Sequence, residues 1–209
     1  MGIRSKNIDK LRGKDTHCGM WLQQLIFNPL TEFVTSYVAA VEPSAVGVRQ
    51  QHTIAAQPDR PRNLRCTMVD ANASITVIKY EIYGKDFWNN EVSEIGTRAG
   101  ASSSIDLNVA FRSLTSVFTT VLSGTVGAGV DTIAFTNGGK LGLAAKITKT
   151  TDVLSVLEGD LEGGADPMAT DAAAISPVFH TFDPTQPTNG IKDYVVEILS
   201  TLGTEELWK

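Results

Sequence analysis

Histidine and cysteine are scarce: three and two residues in 209. The histidines His17, His52 and His180 lie in unrelated segments. The cysteines Cys18 and Cys66 stand far apart, outside any CxxC or Cys/His spacing. A disulfide framework would use more cysteines at regular intervals, so free thiols in a reducing compartment are expected. His17 beside Cys18 is two adjacent residues, too few for a metal site. No run reaches the roughly 18–20 continuous apolar residues of a membrane span. Met1 to Lys14 has no apolar stretch of the kind that marks a secretory leader, so folding in a cytoplasm is expected. No Gly-x-Ser-x-Gly elbow occurs, and apart from His17 next to Cys18 neither cysteine is paired with a candidate base. Nothing assembles into a catalytic site, and no cofactor or metal is expected.

What remains is a chain rich in Gly, Ala, Ser, Thr and Val, a mixture that suits strands and turns. The hydrophobic fraction, 42%, allows a sizeable core. The formal net charge is −5, and its distribution is uneven. Basic residues cluster in Arg4 to Lys14 and again at Arg60, Arg62 and Arg65. Asp152, Glu158, Asp160, Glu162, Asp166 and Asp171 make the second half acidic. Phosphate binding needs clustered Lys and Arg, so sequence-specific nucleic-acid binding by the body is not expected.

Period-2 alternation dominates the pattern. Arg62 to Val69 puts Leu64, Cys66 and Met68 on one face, with Asn63, Arg65 and Thr67 on the other. Ile75 to Tyr83 alternates with a phase change at Val77-Ile78, which predicts a bulge or burial on both faces. Asn89-Asn90 suits positive φ and predicts a hairpin tip after Gly84-Lys85-Asp86-Phe87-Trp88, with Val92 to Thr97 returning. Further strands are read at Val48 to Ala56, Ser116 to Leu122, Asp131 to Thr136, Leu141 to Ile147, Val153 to Glu158 and Asp193 to Leu199. Val109 to Leu114 is a short element packing Phe111. Ile175 to Phe182 is extended, and Glu162 to Ala174 is irregular. Between Leu30 and Ala40, Phe33, Tyr37 and Val41 fit helical spacing, while Val34, Thr35 and Val38 favour a strand. A short helix or a strand ending before Pro43 is expected. The sum is an all-β chain: an antiparallel sandwich or barrel with an extended N-terminal arm and at most one short helix. Composition divides it into arm and short element (1–45), β-sandwich (46–200) and tail (201–209).

Several motifs have a bland reading beside a sharp one. Gly124 to Gly129, GTVGAG, lacks the Gly-Lys-Ser/Thr ending of a phosphate loop, and a hairpin turn suffices. Asn137-Gly138-Gly139-Lys140 is likewise read as a turn. The acids Glu158 to Asp171 lack EF-hand phasing and read as an exposed acidic loop, with a weakly bound cation as the alternative. Asp86 beside Phe87-Trp88 is the one carboxylate next to an aromatic pair, which could stack a sugar or pack against a partner. The Arg60, Arg62 and Arg65 guanidiniums could take acidic loops of a neighbouring subunit or line an ordinary polar strand.

Three ordered phrases then carry a resemblance. They are QPDRPRNLRCTMVDANASITVIKYEIYGKDFWNNEVSEIG, DTIAFTNGGKLGL and FDPTQPTNGIKDYVVEI. Their combination, over roughly Ile54 to Ser200, resembles a domain of tailed-bacteriophage virion structural proteins. The resemblance implies a β-rich, non-enzymatic and often oligomeric capsid decoration or minor capsid protein, carried in the virion and assembled in a host cytoplasm. Its partners would be the major capsid protein and copies of itself. A tail or adsorption protein touching host glycan is the alternative, and a glycan-active enzyme a further one. Candidate contact residues are Arg4, Lys6, Lys10 and Arg12 of the arm, Trp21, Arg60 and Arg62, Phe87 and Trp88 of the tip, and Trp208 of the tail.

Overall fold

A computed structural model of the chain describes residues 4–6, 20–26, 28–100, 102–127, 130–161 and 166–200. Strands account for 54% of it, and the one helical element among the described residues is a 3-10 turn at Thr150–Asp152. The strands in chain order are β1 (Arg4–Lys6), β2 (Met20–Ile26), β3 (Ser36–Val41), β4 (Arg49–His52), β5 (Arg62–Val69), β6 (Ile75–Lys85), β7 (Glu91–Ala99) and β8 (Ser103–Asp106). They continue as β9 (Ser113–Gly124), β10 (Thr132–Gly142), β11 (Val153–Gly159), β12 (Ala169–Thr170), β13 (Ala174–Ser176), β14 (Thr181–Asp183) and β15 (Asp193–Ser200). The chain is therefore all-β, with antiparallel pairing throughout these ladders.

Compactness divides the chain differently from composition: residues 31–142 form one unit, and residues 1–30 with 143–209 form another. In the first unit β3, β10, β5 and β8 pair side by side, and so do β4, β9, β6 and β7. Alternation supplies the reason these layers pack. Leu64, Cys66 and Met68 of β5, with Ile133 and Phe135 of β10, face Ile78, Tyr80 and Ile82 of β6, with Val117 and Val121 of β9, in one apolar cluster. All but Tyr80 are essentially without solvent contact. The expected phase change appears as register shifts on either side of Val77 against β9. The expected tip forms too. Asn89 has φ +69, and the Asp86 carboxylate accepts from the Asn90 backbone N–H at 2.8 Å and its side-chain amide at 3.1 Å.

In the other unit β1, β2, β15, β11 and β12 lie side by side, and β13 and β14 form a hairpin. Tyr194, Val196 and Ile198 of β15 are buried, with Val195 nearly so. Strand β2 is hydrogen-bonded to β15 along Met20 to Ile26.

Of the short helix and the strand expected between Leu30 and Ala40, the strand forms: residues 32–35 turn, with Phe33 at φ +63, and β3 follows. Asn137 enforces this by accepting the Thr35 N–H and donating to the Thr31 carbonyl. Asn137-Gly138-Gly139 is not a turn but the interior of β10. Gly138 is needed there for close approach, since a Cβ would collide with the Asn63 amide. Leu141 to Ile147 is not a strand, because β10 ends at Gly142. Ile175 to Phe182 is a hairpin whose turn spans 177–180.

Candidate functional site

The sheet β4-β9-β6-β7 turns its second face to solvent. One register row crosses it: Gln51 of β4, Phe118 of β9, Glu81 of β6 and Ile95 of β7. The next row is Arg49, Thr120, Lys79 and Thr97. Strand alternation alone puts Lys79, Glu81 and Tyr83 on this face, because Ile78, Tyr80 and Ile82 take the core.

Glu81 is the hub. Arg49 Nη2 donates to it at 2.7 Å and the Tyr83 hydroxyl at 3.1 Å. Lys79 Nζ lies 2.9 Å from its other oxygen. These donors favour the charged form, Arg49 foremost, and hold the carboxyl down at about 2. The Arg49 guanidinium also lies 3.4 Å over the Phe118 ring, whose edge contact with Tyr83 spans 6.2 Å between centroids. Two cations meet one carboxylate, so the cluster carries one excess positive charge. Ile95 and Leu122, 52% and 46% exposed, flank it. Ordered charges beside exposed apolar groups suit a contact surface.

Behind this face, His52 Nε2 and Thr119 Oγ1 share a hydrogen bond of 2.7 Å. A hydroxyl beside an imidazole is the geometry of an activated nucleophile. Both side chains, however, are almost wholly buried. A shallow cavity of about 430 Å³ is lined by Gln51, His52, Thr53, Ile54 and Thr115, and Thr119 is not among its walls. The pair therefore satisfies two buried polar groups. Burial pushes the His52 pKa down, favouring the neutral ring.

The residues singled out in the sequence fall in different places. Arg4 and Lys6 lie on β1, in register with Gln23 and Trp21 of β2; their side chains and that of Trp21 are outside the described residues. Lys10, Arg12, Trp208, His17 and Cys18 are also outside them. Arg62, expected at an interface, has no exposed surface. Its Nε donates to the Gly138 carbonyl at 2.9 Å and its Nη1 to Asp59 at 3.1 Å. Burial of a fixed cation demands such partners, so this guanidinium locks its own fold. Arg60 is half-buried and donates to the Asp59 carbonyl. Arg65 stacks over Phe33 at 3.8 Å and lies 3.6 Å from Asp106. Phe87 and Trp88 are half-buried and meet edge-on at 6.0 Å.

The acidic segment is also largely committed within its unit. Lys192 Nζ lies 3.1 Å from Glu158 and 3.6 Å from Asp166. Asp171 accepts the Thr185 N–H, and Asp152 the Thr148 and Lys149 N–H groups. No carboxylate, histidine and cysteine group suited to a metal occurs among the described residues.

Arg49, Glu81 and Ile95 carry no signal of their own in the sequence. Alternation within β6 could have placed Lys79, Glu81 and Tyr83 together; the cross-strand register that adds Arg49 and Phe118 has no local signal. The fold and this face define an antiparallel β protein with a charged, aromatic patch on one sheet face. Comparison with protein families, curated proteins and solved structures finds no match to the chain.

Proposed function

We propose that this chain is a structural protein of a bacteriophage particle, binding and stabilising the capsid as a decoration or minor capsid component. Its partners on this reading are the major capsid protein and copies of itself, and its work is adhesion rather than catalysis. The observation that carries the reading is where the phrases that bear the resemblance fall. Arg62 and Asn63 of the first phrase interlock with Gly138 and Lys140 of the second, through Arg62 Nε to the Gly138 carbonyl and the Lys140 N–H to Asn63, while Asp59 backs Arg62 from within the first phrase. Asp86 to Asn90 closes the tip. The phrases thus serve as joints of a framework, which is what a likeness between structural proteins would preserve. Repeated weak contacts on a symmetric shell would add to firm retention.

The experiment is sedimentation of the purified chain with expanded, undecorated phage heads. Saturable co-sedimentation at a fixed ratio to the major capsid protein is expected. Retention in the supernatant with every head type offered would overturn the reading. A second reading, adhesion to host glycan, is favoured by one observation: the Phe87-Trp88 pair sits on a tip braced by Asp86. Binding to cell-wall glycan without heads, abolished in Trp88→Ala, would select it.

A further inference from the structure

The edges of the sheets are not alike. Among the described strands β1 has 3 residues, β12 has 2, β13 has 3, and β4 and β8 have 4 each. β3 has 6, and its ladder to β10 is interrupted by register shifts. Short and irregular edges are how folded proteins avoid unwanted pairing. β7 departs from this. It runs for 9 residues, pairs with β6 in one unbroken register from Ala99 to Glu91, and contains neither proline nor lysine. In the β4-β9-β6-β7 order it is terminal. In a regular ladder, alternate residues turn their N–H and C=O groups away from the paired neighbour, so β7 offers such groups along its outer side. On its solvent face Glu91, Ser93, Ile95, Thr97 and Ala99 are all exposed, with Ile95 at the centre.

We propose that β7 pairs antiparallel with β7 of a second copy, about a two-fold axis at Ile95, joining two four-stranded sheets into one. The sequence of the strand fits itself in this register. Ile95 meets Ile95, Ser93 meets Thr97, and Glu91 meets Ala99, so no like charges stand directly opposite. On the inner face Val92 meets Arg98 and Glu94 meets Gly96. Charges turned inward on an edge can serve to block pairing, but these two are already engaged within their own chain. Glu94 accepts the Asn108 and Val109 N–H groups, and Arg98 donates to the Cys66 and Ser103 carbonyls. The second copy is the occupant because a two-fold contact presents the same patch twice, and this patch is complementary to itself. The inference stands on the strand alone and holds whether or not the chain belongs to a phage particle.

The test is the solution mass of the purified full chain across a concentration series, by analytical ultracentrifugation, with Ile95→Lys alongside. Ile95 is half in solvent, so the variant should keep the circular dichroism spectrum and thermal midpoint of a folded β protein. The wild type should be a dimer, and Ile95→Lys should raise the dissociation constant at least about tenfold, or about 1.4 kcal/mol. In a Cys18→Ser background, Ile95→Cys should oxidise to a disulfide-linked dimer, since directly opposed residues approach to roughly 4.5–5.5 Å. A wild-type monomer at every concentration overturns the proposal. So does a dimer that Ile95→Lys leaves intact, or a dimer whose Ile95→Cys form stays reduced under oxidant. None of these outcomes depends on binding to heads.

Discussion

Arg49 holds Glu81 at 2.7 Å while its guanidinium lies 3.4 Å over the ring of Phe118. One cation thus fixes a carboxylate on β6 and covers an aromatic ring on β9, from strand β4. The consequence is a pH dependence with a definite sign. The Glu81 pKa is lowered from 4.5 to about 2 in the folded chain, so the unfolded chain binds more protons between those values. The stabilisation is complete above pH 4.5 and is lost as pH falls toward 2. Glu81→Gln should therefore have a lower thermal midpoint than wild type at neutral pH, with the gap narrowing across that window. A gap that stays constant from pH 6 to pH 2.5 would show that the carboxylate charge contributes nothing.

His52 gives a second window, at higher pH. Its pKa is lowered from 6.5 by burial, so the unfolded state takes up a proton first as pH falls. Stability is full above pH 6.5 and declines below it, until the folded form also protonates. His52→Gln should remove this decline and cost about 1 kcal/mol at neutral pH through the weakened bond to Thr119. Urea unfolding of both proteins between pH 7.5 and pH 5 measures it. The two slopes should differ below pH 6.5 and coincide above.

How much of this was legible in the sequence depended on whether the signal was local. β5 is legible to the residue, because Leu64, Cys66 and Met68 alternate cleanly and Pro61 and Asp70 bound them. The Asn89 tip and the bulge at Val77 also announced themselves, through backbone preference and a phase slip. Arg62 did not. By type it belongs on a surface, and only the distant carbonyl of Gly138 together with Asp59 makes its burial tolerable. Gly138 misled for a related reason: glycine signals a turn when read alone, but here it makes room for Asn63 on a neighbouring strand. Tyr37 and Phe33 matched helical spacing, yet β10 offered β3 a ladder that a short isolated helix could not rival. The face around Glu81 required cross-strand register, and register is not written in any one segment.

The buried guanidinium makes a sharp prediction. Arg62→Ala leaves the Gly138 carbonyl without its donor and opens space behind it. Breaking a buried charge pair by removing one partner costs roughly 3–5 kcal/mol. Because Asp59 retains some exposure, the lower end is expected. Arg62→Lys should recover little, since one ammonium cannot reproduce the planar fork that reaches both partners. A urea midpoint for Arg62→Lys close to wild type would mean that charge, not geometry, holds the joint.

Two glycines separate crowding from backbone strain. Gly47 has φ +80 and nothing within 4 Å of where a Cβ would stand. Alanine there should cost only the conformational penalty, about 1 kcal/mol. Gly138 faces the Asn63 amide, which is fixed on both sides: its Nδ2 donates to the Leu107 carbonyl at 2.6 Å and its Oδ1 accepts the Lys140 N–H at 3.0 Å. It cannot swing aside without leaving buried polar groups unpaired. Gly138→Ala should therefore cost more, about 2–3 kcal/mol. The added variant Asn63→Ala supplies the discriminating measurement. In an Asn63→Ala background the further cost of Gly138→Ala should fall by more than half, because the colliding group is gone, whereas the cost of Gly47→Ala should be unchanged. If the Gly138→Ala penalty persists undiminished without the Asn63 side chain, then β10 needs glycine at 138 for its own backbone path, and the close approach to Asn63 is incidental.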